Sequence, residues 1–290
     1  MLWLPYALFS AVVLASRRTY EKSLTNSFGN FSVGFIVQAF SLLPTLALFL
    51  FFPIPEDLAR LPWQFWWPLL IIWFVLYPIQ TYFLYRGLRE GELSQTAPMI
   101  ALLPVFNVVS SFFLLRERPS LLWLIGMGII VLGTYLLLTD GAKKDHGQKI
   151  NKAVLYTIIA TLCVAIGSTL DKISINASTP VFYSFANTFG ASVVLYALMH
   201  IYGQREDIPK IVQRLWPFML LGIFQALLFT AKVFAFSYGP TSYVLAVMAS
   251  SFLFTALIGM LVMKERVSSK KVFSLCLFVV GILLITITTQ

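Results

Sequence analysis

Ten runs of mostly apolar residues, each long enough to cross a bilayer as a helix, are the feature that most limits how this chain folds. A helix spans the hydrocarbon core with about 20 such residues. The runs fall near 2–20, 31–52, 66–88, 93–115, 120–139, 153–171, 180–201, 215–238, 241–263 and 269–288. Pro53 and Pro55 end the second, Arg116-Glu117-Arg118-Pro119 ends the fourth, and a charged connection over 140–152 follows the fifth. Ser120 and Ser268 are placed to cap the fifth and tenth helices, and Pro180 suits the first turn of the seventh. The first run could be read as a secretion signal, but no basic region precedes it, so it is taken as a span.

Composition removes the soluble alternatives. With 26 Phe, 12 Tyr and 7 Trp in 290 residues, a water-soluble globule would have nowhere to hide its aromatic surface. Only 11% of residues are Asp, Glu, Lys or Arg, against about 25% in soluble domains. Two cysteines, Cys163 and Cys276, rule out a disulfide scaffold and are expected to be small buried residues. The net charge of +9 is spread over short clusters between apolar runs. That is the pattern of membrane-protein loops rather than of a nucleic-acid surface.

The chain also resembles itself at a shift of about 150. Thr19-Tyr20-Glu21-Lys22 matches Thr169-Leu170-Asp171-Lys172, Trp67-Pro68 matches Trp216-Pro217, and Arg116-Glu117-Arg118 matches Lys264-Glu265-Arg266. Gly91, Ser120 and Gly133 fall on Gly239, Ser268 and Gly281. Two units are expected, 1–139 and 153–290, joined by the loop 140–152. Five spans per unit is an odd number, so the copies insert in opposite directions. The expected fold class is an all-α integral membrane protein of ten transmembrane helices in two inverted five-helix repeats, an architecture used by many secondary transporters.

On these residues the chain resembles the drug/metabolite transporter superfamily, in its EamA-like branch. The resemblance rests on the Lys closing the first helix of each half (Lys22, Lys172) and on the basic-acidic-basic turn before a Gly-containing fifth helix. It implies a transporter with a central cavity lined by the first four helices of each half, and cytoplasmic termini.

Polar groups in hydrocarbon are costly without partners, so each one inside a span is a candidate contact for a solute. Lys232 lies seven residues before Gly239, about 10 Å inside the eighth helix at ~1.5 Å per residue. It either contacts an anionic solute or snorkels to the interface. Gln225, seven residues earlier, shares its face. Tyr77 and Gln80 flank Pro78 in the third span, Gln38 and Asn187 are repeat-matched in the second and seventh, and Asn107 lies in the fourth. For the amides a helix–helix hydrogen bond is the competing role. Tyr243 reads as either a cavity wall or an interfacial anchor. Arg17 and Arg18 are taken to meet headgroups or a pathway mouth. The Asp171-Lys172 pair is read as a helix-end feature, and no acidic residue is placed in the middle third of a span. That argues against proton coupling through an embedded carboxylate.

The two histidines, His146 and His200, form no metalloprotease pair, and no nucleophile elbow or P-loop occurs. The chain is therefore not expected to be an enzyme or to hold a cofactor. The expected function is secondary transport of a small organic solute, an amino acid or related anionic or zwitterionic metabolite, by alternating access. A flippase, a membrane-embedded enzyme and a non-transporting scaffold are the alternatives. The expected partners are the solute and the lipid bilayer of the plasma membrane, with no nucleic acid. Monomer and homodimer stay open. Connections after odd-numbered spans hold 16 Lys and Arg and the others four. The positive-inside rule thus puts the 140–152 loop in the cytoplasm and both termini outside, opposite to the orientation the resemblance implies.

Overall fold

The structure is a computed structural model and describes residues 2–21, 27–55, 61–91, 93–138, 152–213, 215–255 and 269–287. Lys22, Glu265, Ser268 and most of the 140–152 loop lie outside these. Among the described residues all regular structure is helical. Six helices are long and apolar enough to cross a membrane, at Asn30–Leu50, Trp63–Glu90, Pro98–Leu115, Lys152–Asn176, Pro180–Ile201 and Leu215–Tyr238. Two shorter apolar helices cover Leu121–Leu136 and Thr241–Thr255.

In chain order the elements begin with α1 (Trp3–Glu21) and α2 (Asn30–Ala47). The third run divides into α3 (Trp63–Ile71), a π-type turn over Ile72–Leu76, and α4 (Tyr77–Glu90). Pro78 has no N–H for the carbonyl of Phe74 and its ring would clash there, which the wider turn relieves. The fourth run breaks at Ala101 and Leu102 into α5 (Leu93–Ile100) and α6 (Leu103–Leu115), because Pro104 likewise has no N–H to offer the Ile100 carbonyl. Next come α7 (Leu121–Leu138), α8 (Lys152–Asn176), α9 (Pro180–Ile201) and the short α10 (Asp207–Gln213). Finally α11 (Leu215–Tyr238), α12 (Thr241–Met248) and α13 (Ser269–Ile287) complete the order. Ser120 accepts the Trp123 amide at 3.2 Å, capping α7 as expected, and Pro180 opens α9 behind a Thr179 cap. One boundary differs with consequence: α8 runs to Asn176, five residues past its expected end.

The helices pack in recurring pairs. α1 lies against α11 and α12, while α8 lies against α3, α4 and α6. α2 crosses both α9 and α11, and α7 pairs with α13. Along α1 and α11 the contacts run antiparallel, from Trp3 against Gly239 through Tyr6 stacked on Phe234 to Arg17 on Gln225. Small residues permit the closest approaches. A Cβ on Gly222 of α11 would sit 2.2 Å from the Phe40 carbonyl oxygen of α2.

Burial differs from that of a soluble bundle: small polar residues share the interior with an apolar core, and large apolar side chains also cover the outside. Ser10, Thr157, Ser174 and Ser184 are fully buried, whereas Leu43, Phe74, Val109 and Phe113 lie on the outside. Several interior hydroxyls donate to helix carbonyls, as Thr157 does to Ala153 at 2.8 Å, whereas Thr230, Ser250 and Ser274 are buried without a hydrogen-bond partner. Cys163 is buried as expected, but Cys276 is exposed on α13, whose apolar residues face outward as well as inward. An apolar run destined for lipid carries no sign of which face meets protein.

Candidate functional site

The extra turn of α8 carries Asp171 into the interior. Its Oδ2 lies 2.9 Å from the Lys232 ammonium of α11, and the two side chains are 6% and 15% exposed. Tyr183, at the start of α9, donates its hydroxyl to the other oxygen, Oδ1. Lys232 also sits over the rings of Phe229 and Phe236, 4.6 and 5.3 Å from their centroids. These are its neighbours three residues before and four after, so all three share one face. Desolvating two charges is costly, and this pair offsets the cost through its contact, the tyrosine hydrogen bond and the aromatic faces.

A second polar layer adjoins it. Asn187 of α9 donates to the Tyr77 hydroxyl of α4 at 3.3 Å. The Trp73 indole N–H of the π-type turn reaches the Asn187 backbone oxygen and Oδ1, both at 3.2 Å. Gly190 leaves room for that indole, since a Cβ there would fall 2.1 Å from the ring. Gln38 of α2 also hydrogen-bonds Tyr77, and Asp171 and Arg17 act on it electrostatically. Arg17 extends from the end of α1 and donates to the side-chain Oε1 of Gln225 at 2.5 Å, in the middle of α11.

Two clamps hold the α11–α12 turn next to this site. Lys172, one residue after Asp171, donates to the Phe236 and Gly239 carbonyls at 2.5 and 2.6 Å. Glu117 accepts from the Thr241 amide at 3.1 Å, from its hydroxyl at 3.3 Å and from the Ser242 hydroxyl at 3.1 Å. A cation thus meets the C-terminal end of α11 and an anion the N-terminal end of α12, each matched to the helix dipole it faces.

Of the residues expected at the site, Lys232, Gln225, Gln38, Asn187 and Tyr77 converge in these layers, with Gln80 half-buried one turn past Tyr77. Asn107 does not join them. It is fully buried in α6 and donates to Ala165 and Thr169 of α8 at 3.0 and 3.1 Å. Tyr243 stacks on Trp123 of α7 at 4.7 Å and meets Trp3 edge-on at 6.1 Å. The reading of Asp171 as a helix-end feature is overturned: it is 4% exposed within a membrane-length helix. Asp171 lies in the last third of α8, so no acidic residue of the described spans is added to a middle third, but a buried carboxylate does lie within a membrane-length helix. Tyr183, Trp73 and the inward reach of Arg17 were also not anticipated. Among the described residues, no three His, Cys, Asp or Glu side chains gather as a metal would require.

Three comparisons with known proteins bear on this site. A family model described as the EamA-like transporter family matches residues 1–139 and again 151–287. GDP-fucose transporter 1 of Monosiga brevicollis is 34% identical over 74 residues, which is 25% of this chain and 21% of that protein. One crystal structure superposes with a TM-score of 0.78 at 18% identity, over 99% of this chain and 99% of its own. At that identity the likeness concerns the fold alone.

Proposed function

The chain belongs to the EamA-like transporter family, within the drug/metabolite transporter superfamily, and on that premise we propose that it moves a small organic anion or zwitterion by alternating access. The carrying observation is the buried Lys232–Asp171 pair beside the layer of Gln38, Tyr77, Asn187, Gln225 and Arg17. Side chains from both matched segments meet there, with α1, α2 and α4 from one and α8, α9 and α11 from the other. Such polar groups are expensive in a membrane interior and mark a solute path by default.

The inverted arrangement is part of the proposal. Under the repeat, α1 corresponds to α8, α3–α4 to α11, and α5–α6 to the helix beginning with α12. The contacts of α1 with α11 and α12 then mirror those of α8 with α4 and α6, which supports two copies related by a two-fold axis. Rocking of one copy on the other would expose the site to each side in turn. The units 1–139 and 153–290 and a location in the plasma membrane belong to the same reading.

An amino acid or similar metabolite fits the mixed charge of the site. A nucleotide-linked sugar is a second reading, favoured by the 74-residue match. Purified protein in liposomes, loaded with unlabelled solute and given the labelled form outside, tests both. Counterflow of amino acids supports the first reading and counterflow of GDP-sugars the second. If none of a broad panel of amino acids, organic anions and nucleotide sugars exchanges, the transport of such solutes is refuted.

A further inference from the structure

We infer that the Asp171–Lys232 pair selects for a solute that carries one positive and one negative group, by exchanging the bond between the two side chains for a bond from each to the solute. The inference rests on the transport reading above and narrows its solute class. In the structure each member of the pair neutralises the other at 2.9 Å, inside two membrane-length helices. A solute with a lone carboxylate can draw Lys232 away only by leaving Asp171 as a buried carboxylate without its counter-ion. A lone amine does the same to Lys232. A buried charge stripped of its partner is the costly outcome, more so than losing both charges together. A zwitterion avoids it, because its ammonium takes Asp171 Oδ2 while its carboxylate takes Lys232 Nζ, and four charges remain in two pairs.

The surroundings suit this exchange. Tyr183 holds Asp171 by its other oxygen, so the carboxylate keeps its position when Oδ2 changes partner. The rings of Phe229 and Phe236 that flank Lys232 present faces to an incoming ammonium as readily as to the lysine. Asp171 and Lys232 sit on different helices, α8 and α11, so separating them to admit a solute loosens a contact between the two.

The test compares, in liposomes holding the purified protein, the best-exchanged α-amino acid with its deaminated acid and its decarboxylated amine as competitors. Both analogues are expected to compete at least about tenfold more weakly than the amino acid. Asp171→Asn is expected to shift the preference at least about tenfold toward the acid, and Lys232→Gln toward the amine. A pair that serves folding alone would produce no such opposite shifts. Wild-type protein that accepts the acid or the amine within about threefold of the amino acid overturns the inference and leaves transport standing, even where both variants fail to fold. Single variants that fold and keep the wild-type preference also overturn it. Exchange of no amino acid at all, alongside exchange of other solutes, has the same consequence.

Discussion

Lys172 donates to the Gly239 carbonyl at 2.6 Å, so the residue that ends the first repeat-matched motif of the second half closes the last turn of α11. The Phe236 carbonyl is held at 2.5 Å by the same ammonium. Glu117, from the other matched motif, occupies the N-terminal end of α12 across the Gly239-Pro240 turn. A helix end inside a membrane protein has unpaired carbonyls or amides and little water to satisfy them. Lys172 and Glu117 therefore have a structural role next to the site.

Removal of that clamp has a measurable cost. Lys172→Met leaves two carbonyls without a charged donor, and a hydrogen bond to a charged group contributes about 1.5–3 kcal/mol. The expected result is a clear fall in the melting temperature of the detergent-solubilised protein. Glu117→Gln retains an acceptor for the Thr241 amide and is expected to cost less than Glu117→Ala. Equal melting temperatures for Lys172→Met and wild type would show that the carbonyls find other partners.

The close crossings of helices give a second prediction. Gly222→Ala places a methyl 2.2 Å from the Phe40 carbonyl oxygen, a backbone atom that cannot rotate away. Overpacking of this kind costs about 1–3 kcal/mol. Gly128, with nothing within 4 Å of the added carbon, is the control. Gly222→Ala should lower thermal stability and Gly128→Ala should not, as read by heating followed by size-exclusion chromatography.

Asp207 supplies a pH dependence. Its Oδ2 accepts the Gly29 amide at 2.8 Å, at the start of α2, beside Gln204, which accepts the Phe31 and Ser32 amides at 3.1 Å. Burial alone pushes the Asp207 carboxyl up, but the Gly29 amide, the Ser32 hydroxyl and Lys210 outweigh it and hold it below its ordinary value. A carboxyl lowered in the folded state stabilises fully above its unfolded value, and that contribution is lost as the pH falls through the folded one. Wild type should therefore lose stability over Asp207→Asn on acidification from about pH 6 to about pH 3, around the ordinary carboxylate range. At neutral pH the variant should be less stable by about 1 kcal/mol, the usual worth of a helix cap. A stability difference that stays constant over this range would refute the assignment.

What the sequence disclosed follows from which forces leave a local trace. Apolar runs and their prolines mark the helices because the bilayer imposes length and composition together. Gln38, Asn187, Tyr77, Gln225 and Lys232 stood out because each is polar within such a run. Asp171 was hidden by a helix end. The charged pair Asp171-Lys172 looks like a terminus, and only the packing of α8 on α11 and α3 explains why the helix continues to Asn176. Arg17 was hidden by reach, since a long side chain at the end of α1 contacts the middle of α11. Asn107 and Tyr243 show the opposite error. A polar residue in a span signals that a partner exists, but Ala165 in one case and Trp123 in the other is a partner that only the tertiary structure identifies.

Membrane orientation is the last prediction. The count of 16 basic residues against four includes some that the structure assigns elsewhere. Arg17 bonds Gln225, Arg18 bonds Ser251 at 3.0 Å and lies over Phe252, and Lys172 closes α11. Setting these aside leaves 14 against three, so the bias does not depend on them. Lysine and arginine in short connections are retained on the cytoplasmic side, and the inverted copies proposed above would present a similar outline either way up. We therefore expect the connections after odd-numbered spans to be cytoplasmic and both termini to face outward. Glu206, exposed in the connection between α9 and α10, is a suitable reporter whose replacement removes no positive charge. Glu206→Cys, in a background lacking Cys163 and Cys276, should resist a membrane-impermeant thiol reagent in intact cells and react once they are permeabilised. Reaction in intact cells would place that connection outside and the termini inside, and the charge argument would be wrong for this protein.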